Sequence, residues 1–153
     1  SYSTCGFYFS VNFYYAALPH CHEVRRRILG IWLDGMIKHP ASFEFANDNH
    51  LYQIMVLLCD SPIQRLRGLL ARESLLLDSV LWLRPCSSIH TCFMQRPIDV
   101  IYLNRERRIV KTVSNLKPWR FSACNGSESV LELASGLIAT IGVDVGDYFK
   151  CDS

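Results

Sequence analysis

Three side chains between residues 86 and 92 carry soft-ligand and nucleophile chemistry at close spacing: Cys86, His90 and Cys92, in the pattern C-x3-H-x-C. On an extended chain the three share one face, because their numbers differ by even steps. Two thiolates and an imidazole suit zinc or another borderline ion. A fourth ligand, with Cys124 as the candidate, must come from elsewhere. Distance works against such a site. Strand residues four apart lie over ~12 Å from one another, so Ser87-Ser88 would have to bend the chain. A Cys92–His90 nucleophile pair stands about 7 Å apart in a strand, beyond hydrogen-bond reach, and no orienting acid or oxyanion donor accompanies it. A Ser88, His90, Asp99 triple is formally available, but such triples occur by chance in most chains. No residue is therefore assigned a catalytic role and no cofactor is expected; buried thiols with a hydrogen-bonded histidine are the preferred reading. His20-Cys21-His22 puts only two ligands on one face and is read as a solvated turn.

Two carboxylates stand out for a different reason. Asp99 and Glu132 each sit in an otherwise apolar run, IDVIYL and VLEL. A buried carboxylate is costly unless it is paired or hydrogen-bonded. The expected partners are Arg65, Arg67, Arg72 and backbone N–H groups. The acids then either tie a helix to a sheet, which is the preferred reading, or line a polar pocket. In the second case Arg72, His90, Met94, Asp99 and Glu132 are the ligand-binding candidates.

These residues need a scaffold, and composition bounds it. A chain of 153 residues suits one domain able to bury most of its apolar surface. Half of it is hydrophobic and a fifth charged, as in an ordinary globular protein. A net charge of +2 offers no global attraction for nucleic acid, so no nucleic-acid partner is expected. Seven cysteines with no repeated spacing read as reduced thiols in a cytoplasmic protein, with an envelope-associated one as the alternative. Charged residues interrupt every apolar run before it reaches membrane-spanning length. No Lys or Arg precedes Arg25, so the start does not read as a secretory signal; the missing initial Met fits a processed or truncated product.

The chain's order predicts mostly strands. Phe7, Phe9, Val11 and Phe13 alternate, which favours an aromatic strand; Val24, Ile28, Ile31 and Trp32 recur at helical spacing, predicting a helix from Glu23 to Lys38. Ala41 to His50 reads as a polar connection, with Asn47-Asp48-Asn49 as turn chemistry. Leu51 to Cys59 is a buried strand or helix segment. Pro62 can open a short amphipathic helix over Ile63–Arg72, and Leu75 to Asp78 reads as a loop. Val80–Leu83, Ile98–Leu103, Ile109–Val113, Phe121–Ala123 and Ser129–Leu133 read as strands, with Asn104 to Arg107 as a hairpin turn. Ala134 to Ile141 is a helix ended by Gly142, and Val145 to Phe149 turns into a last strand.

Four segments in order resemble a known family: RLRGLLAR at 65–72, the run from His90 to Asp99, VLELASG at 130–136 and IGVDVGDYF at 141–149. They are similar to the motifs R-x-x-G-L-M-x-R, W-M-x-x-P-[LI]-D, L-E-L-x-x-G and G-I-x-x-G-D of the small prokaryotic proteins of domain-of-unknown-function family 192. Phe93 stands where that family has Trp, and Gln95-Arg96 where it has Lys-Asn. The resemblance covers about residues 55–149. It implies a compact, antiparallel β-sandwich or barrel with short packed helices and no established enzymatic activity.

The expectation is a mainly β protein, with α+β as the alternative. Residues 1–50 form an aromatic strand and helix extension able to join copies of the chain, and residues 51–153 form the β-rich domain. It is read as a non-enzymatic binding or accessory module for a small molecule, peptide or protein. The rival is a metal- or thiol-dependent enzyme centred on Cys86, His90 and Cys92.

Overall fold

The computed structural model describes residues 38–47, 50–61 and 80–151, all within one compact unit, Met36–Ser153. The expected aromatic strand, the helix over Ile63–Arg72 and the loop after it lie outside the described residues. So does the helix over Glu23–Lys38, except for Lys38, which opens a strand.

Among the described residues nine strands and one short helix follow in order: β1 Lys38–Glu44, β2 Leu51–Cys59, β3 Val80–Leu83, β4 Ser88–His90, β5 Ile98–Leu103, β6 Ile109–Leu116, β7 Phe121–Ala123, β8 Ser129–Ala134, α1 Leu137–Ile141 and β9 Tyr148–Cys151. Seven strands make one sheet in the order β6-β5-β8-β3-β2-β1-β9, and β4 pairs with β7 in a second, two-stranded sheet. The large sheet curls into a half-barrel. Its two ends meet where Arg108 bridges Tyr148 and the Phe149 N–H donates to the Arg107 carbonyl at 2.9 Å. The mainly β fold expected from the sequence is the one observed. Among the described residues every strand pair is antiparallel except β2 with β3. A parallel pair needs a long crossover, and residues 60–79 supply its length. Among the described residues no helix is long and apolar enough to cross a membrane.

The polar connection expected from Ala41 is instead β1. Ala41 and Phe43 turn inward while Ser42 and Glu44 are only half-buried, and the strand is held by β2 on one side and β9 on the other. Pro40 obscured this pattern. Among the described residues it pairs with Met55 of β2 and lies ahead of the β9 pairing, near the start of the strand, where a proline is tolerated.

Both faces of the sheet are covered, so β5 and β8 are buried at nearly every position and read as continuous apolar runs. The concave face packs Phe43, Trp82, Ile101, Leu131, Leu133 and Phe149 with Ile138 and Ile141 of α1. The opposite face packs Leu57, Leu81, Val100, Tyr102 and Val130 under the small sheet, which contributes Ile89, with Met94 from the loop that follows it. The small sheet thus has an inner side, Ile89 and Ser122, and an outer side, Ser88, His90, Phe121 and Ala123.

Candidate functional site

Asp99 is fully buried, and its role follows from its neighbours. Between the pairs Ile98–Leu116 and Val100–Val113, β6 carries one extra residue, a bulge opposite Asp99. The Asp99 carboxylate fills that irregularity. Oδ1 accepts the Asn115 N–H at 2.8 Å, and Asn115 takes the left-handed conformation (φ 54°) that aims it there. Oδ2 accepts the N–H groups of Gly136 (3.0 Å) and Ile138 (2.9 Å), capping α1, whose own N-cap Gly136 has no side chain to do so. Among the described residues the partners are backbone donors and the acid ties helix to sheet; the expected arginines, Arg65, Arg67 and Arg72, lie outside the described residues. Asp147 repeats the device at the other end of the barrel. It accepts Ala46 N–H at 2.9 Å and Asp144 N–H at 2.8 Å, linking the turn after β1 to the turn before β9.

Glu132 is buried on the other face of β8, between Leu81 and Val100 in register. Near it, burial pushes the Tyr102 phenol up to about 12; the Ser122 hydroxyl opposes that shift, and Cys86, Cys124 and Glu132 add to it. Ser122 influences Tyr102, yet the phenol oxygen has no partner at hydrogen-bond geometry, so desolvation decides the direction.

The C-x3-H-x-C residues do not converge. Cys86 lies before β4, packs against the inner cluster and donates its thiol to the Ser88 carbonyl at 3.2 Å. His90 ends β4 on the outer side, opposite Phe121. Among the described residues no group of three or more His, Cys, Asp or Glu is placed to hold a metal ion. Of the five pocket candidates, Arg72 lies outside the described residues, and the other four do not come together: Asp99 faces the concave core and Glu132 the opposite one, Met94 is 6% exposed beneath the small sheet, and His90 points outward.

What the structure does assemble is an aromatic surface beside His90. Phe93, Trp119 and Phe121 are 36, 57 and 69% exposed. The Phe93 and Trp119 rings meet with centroids 4.6 Å apart at 61°. Both residues have left-handed backbone, φ 66° and 60°, a conformation bulky side chains avoid. Thr91, fully buried, holds them there. Its N–H donates to the Arg120 carbonyl (2.9 Å), and its carbonyl accepts from Trp119 (3.0 Å) and Met94 (3.2 Å). Its hydroxyl accepts the Arg120 N–H at 2.9 Å and donates to the Lys117 carbonyl at 2.6 Å, with the Arg120 carbonyl at 3.2 Å as the other acceptor in reach. One threonine thus clamps the loop 91–94 to the loop 117–120. Met94 and Ile89 anchor the assembly from below.

Sequence reasoning singled out His90 and Met94 but missed Thr91, Trp119 and Phe121. The available signal was the run KPWRF at 117–121, where aromatics stand among cations outside any buried alternation.

A family model described as uncharacterized ACR, domain-of-unknown-function family 192, matches residues 43–151. The chain is 35% identical over 102 residues to a UPF0127 protein of Pyrococcus furiosus, covering 64% of this chain and 87% of that one. It is 35% identical over 100 residues to one from Thermococcus kodakarensis, covering 62% of this chain and 63% of that one. A crystal structure of a protein of unknown function from Novosphingobium aromaticivorans shares the fold at a TM-score of 0.63 and 20% identity, covering 75% of this chain and 84% of that one. A crystal structure described as that of a putative transcription regulator from Sinorhizobium meliloti shares the fold at a TM-score of 0.69 and 20% identity, covering 76% of this chain and 95% of that one.

Proposed function

The chain belongs to the uncharacterized ACR family, domain-of-unknown-function family 192, and from that premise we propose that it is a non-enzymatic binding module whose ligand surface is formed by Phe93, Trp119 and Phe121 beside His90. One observation carries the reading: two exposed aromatic residues are held in strained backbone by a buried threonine. Strain of this kind persists only where surrounding structure over-determines it, and it gathers at binding sites. Exposed aromatics in a group mark contact surfaces. The rival, a metal- or thiol-dependent enzyme, needs Cys86 and His90 on one side of the small sheet, whereas one packs inward and the other faces out.

The ligand is a small molecule, a peptide or a protein, met in the cytoplasm. A thermal-shift screen of the intact protein, run in parallel on a Trp119→Ala/Phe121→Ala variant, tests the site, because a ligand that binds only the folded state raises its melting temperature. Compounds that stabilise the wild type and not the variant support the reading. Compounds that stabilise both alike place the ligand elsewhere and overturn it.

A further inference from the structure

We propose that the surface of Phe93, Trp119 and Phe121 receives an acidic, extended peptide segment anchored by one apolar side chain. The inference rests on the reading of these rings as the ligand surface and adds the partner's chemistry.

Charge comes first. The two stretches that build the surface, 86–98 and 115–127, contain Arg96, Lys117 and Arg120 and neither Asp nor Glu. All three cations are exposed. The whole chain has sixteen Lys and Arg against fourteen Asp and Glu, so outside these stretches thirteen cations face fourteen acids. The aromatic surface is a basic patch on an otherwise slightly acidic chain, and such a patch attracts and orients an anionic partner.

Ring geometry decides which anion. Successive bases of a single strand stack on separate ring faces. Phe93 and Trp119 meet edge to face at 61°, forming a wedge rather than two parallel platforms. A wedge between tilted rings takes one aliphatic or aromatic side chain. Among the described residues β4 and β7 pair only with each other, so the small sheet has outer strand edges along which an extended chain can lie.

The intact protein is titrated by calorimetry with three probes: a pool of short peptides in which Asp and Glu surround one Leu, Phe or Trp; the same pool with Asn and Gln in place of the acids; and oligothymidylate. Three exposed ion pairs multiply to a preference of about tenfold for the acidic pool. Added salt should erode it. Trp119→Ala should abolish binding, and Lys117→Gln with Arg120→Gln should remove the preference while leaving the fold's melting temperature in place. Equal binding of both peptide pools, still lost in Trp119→Ala, overturns the acidic partner but leaves the surface standing. Binding indifferent to Trp119→Ala and to Phe121→Ala overturns the surface as well. Tighter binding of oligothymidylate assigns the patch to single-stranded nucleic acid and overturns the peptide, as does the absence of binding by either pool.

Discussion

Asp99 accepts three backbone N–H groups and closes a helix onto a bulged strand; Thr91 bonds through its hydroxyl, N–H and carbonyl and closes one loop onto another. Both side chains are fully buried. Around Asp99 the backbone it recruits suits its residues: Gly136 and Asn115 tolerate the left-handed region they occupy. Around Thr91 the same region is occupied by Phe93 and Trp119, which do not tolerate it easily. The first hub lowers the free energy of the fold. The second spends some of it to hold rings in water. The difference distinguishes the structural hub from the surface proposed for binding better than burial or charge does.

Substitution of Asp99 should have the largest effect. Asp99→Ala leaves three buried donors without an acceptor and should cost about 3–5 kcal/mol. Asp99→Asn keeps one oxygen but turns an amide N–H₂ towards N–H donors, and should cost about 2 kcal/mol. Urea denaturation of the pair gives both numbers. Near-zero shifts in both midpoints would erase the contrast with Thr91 and return Asp99 to the list of ligand residues.

Alkaline pH probes the layer beneath the small sheet. The Tyr102 pKa is raised from 10.0 to about 12, chiefly by burial. Below pH 10 folded and unfolded chains both keep the proton and the stability is fully present. As pH rises towards 12 the unfolded chain loses its proton first, so stability falls, by about 2–3 kcal/mol in all. Tyr102→Phe should flatten that slope and cost little near neutrality, since the phenol oxygen has no hydrogen-bond partner to lose. Unfolding midpoints compared across this range check it; parallel slopes in wild type and variant would refute the assignment.

Thr91→Val keeps the shape and removes the hydroxyl. The loss should be about 1–2 kcal/mol, less than for Asp99→Ala because the threonine backbone bonds survive. Trp119 emission should change with it, because the clamp sets the ring's position. A stable variant with unaltered emission would show that the backbone bonds suffice.

The strands were legible because two-sided burial writes itself as continuous apolar runs, as in Ile98–Leu103 and Ser129–Ala134, and because Gly142 ends α1 as its position suggests. Asp99 was legible as a misplaced charge, though not its donors, since Asn115 and Gly136 reach it only through the sheet register. β1 was hidden by Pro40. The aromatic surface was illegible for a deeper reason. Phe93 and Trp119 are far apart in sequence, and their backbone conformation contradicts their residue types, so local propensity argues against the arrangement that Thr91 imposes.

The smallest expected effect bears most directly on that contradiction. At φ 66° a β-carbon is penalised by about 1–2 kcal/mol relative to glycine, part of which glycine returns as chain entropy in the unfolded state. Phe93→Gly should therefore be about 1 kcal/mol more stable than Phe93→Ala, reversing the order expected at an ordinary surface position. Both variants lose the ring contact with Trp119, which is worth about 0.5–1.5 kcal/mol. Relief of strain offsets that loss in Phe93→Gly, which should denature within about 0.5 kcal/mol of the wild type. Both variants should lose ligand binding alike. A ring kept for stability gives a different pattern: glycine and alanine would both fall well below the wild type and would not differ from each other. Urea midpoints of the three proteins separate the cases. A glycine variant as stable as the wild type but unable to bind would mean that the phenyl ring and the backbone it strains are maintained for contact with a partner.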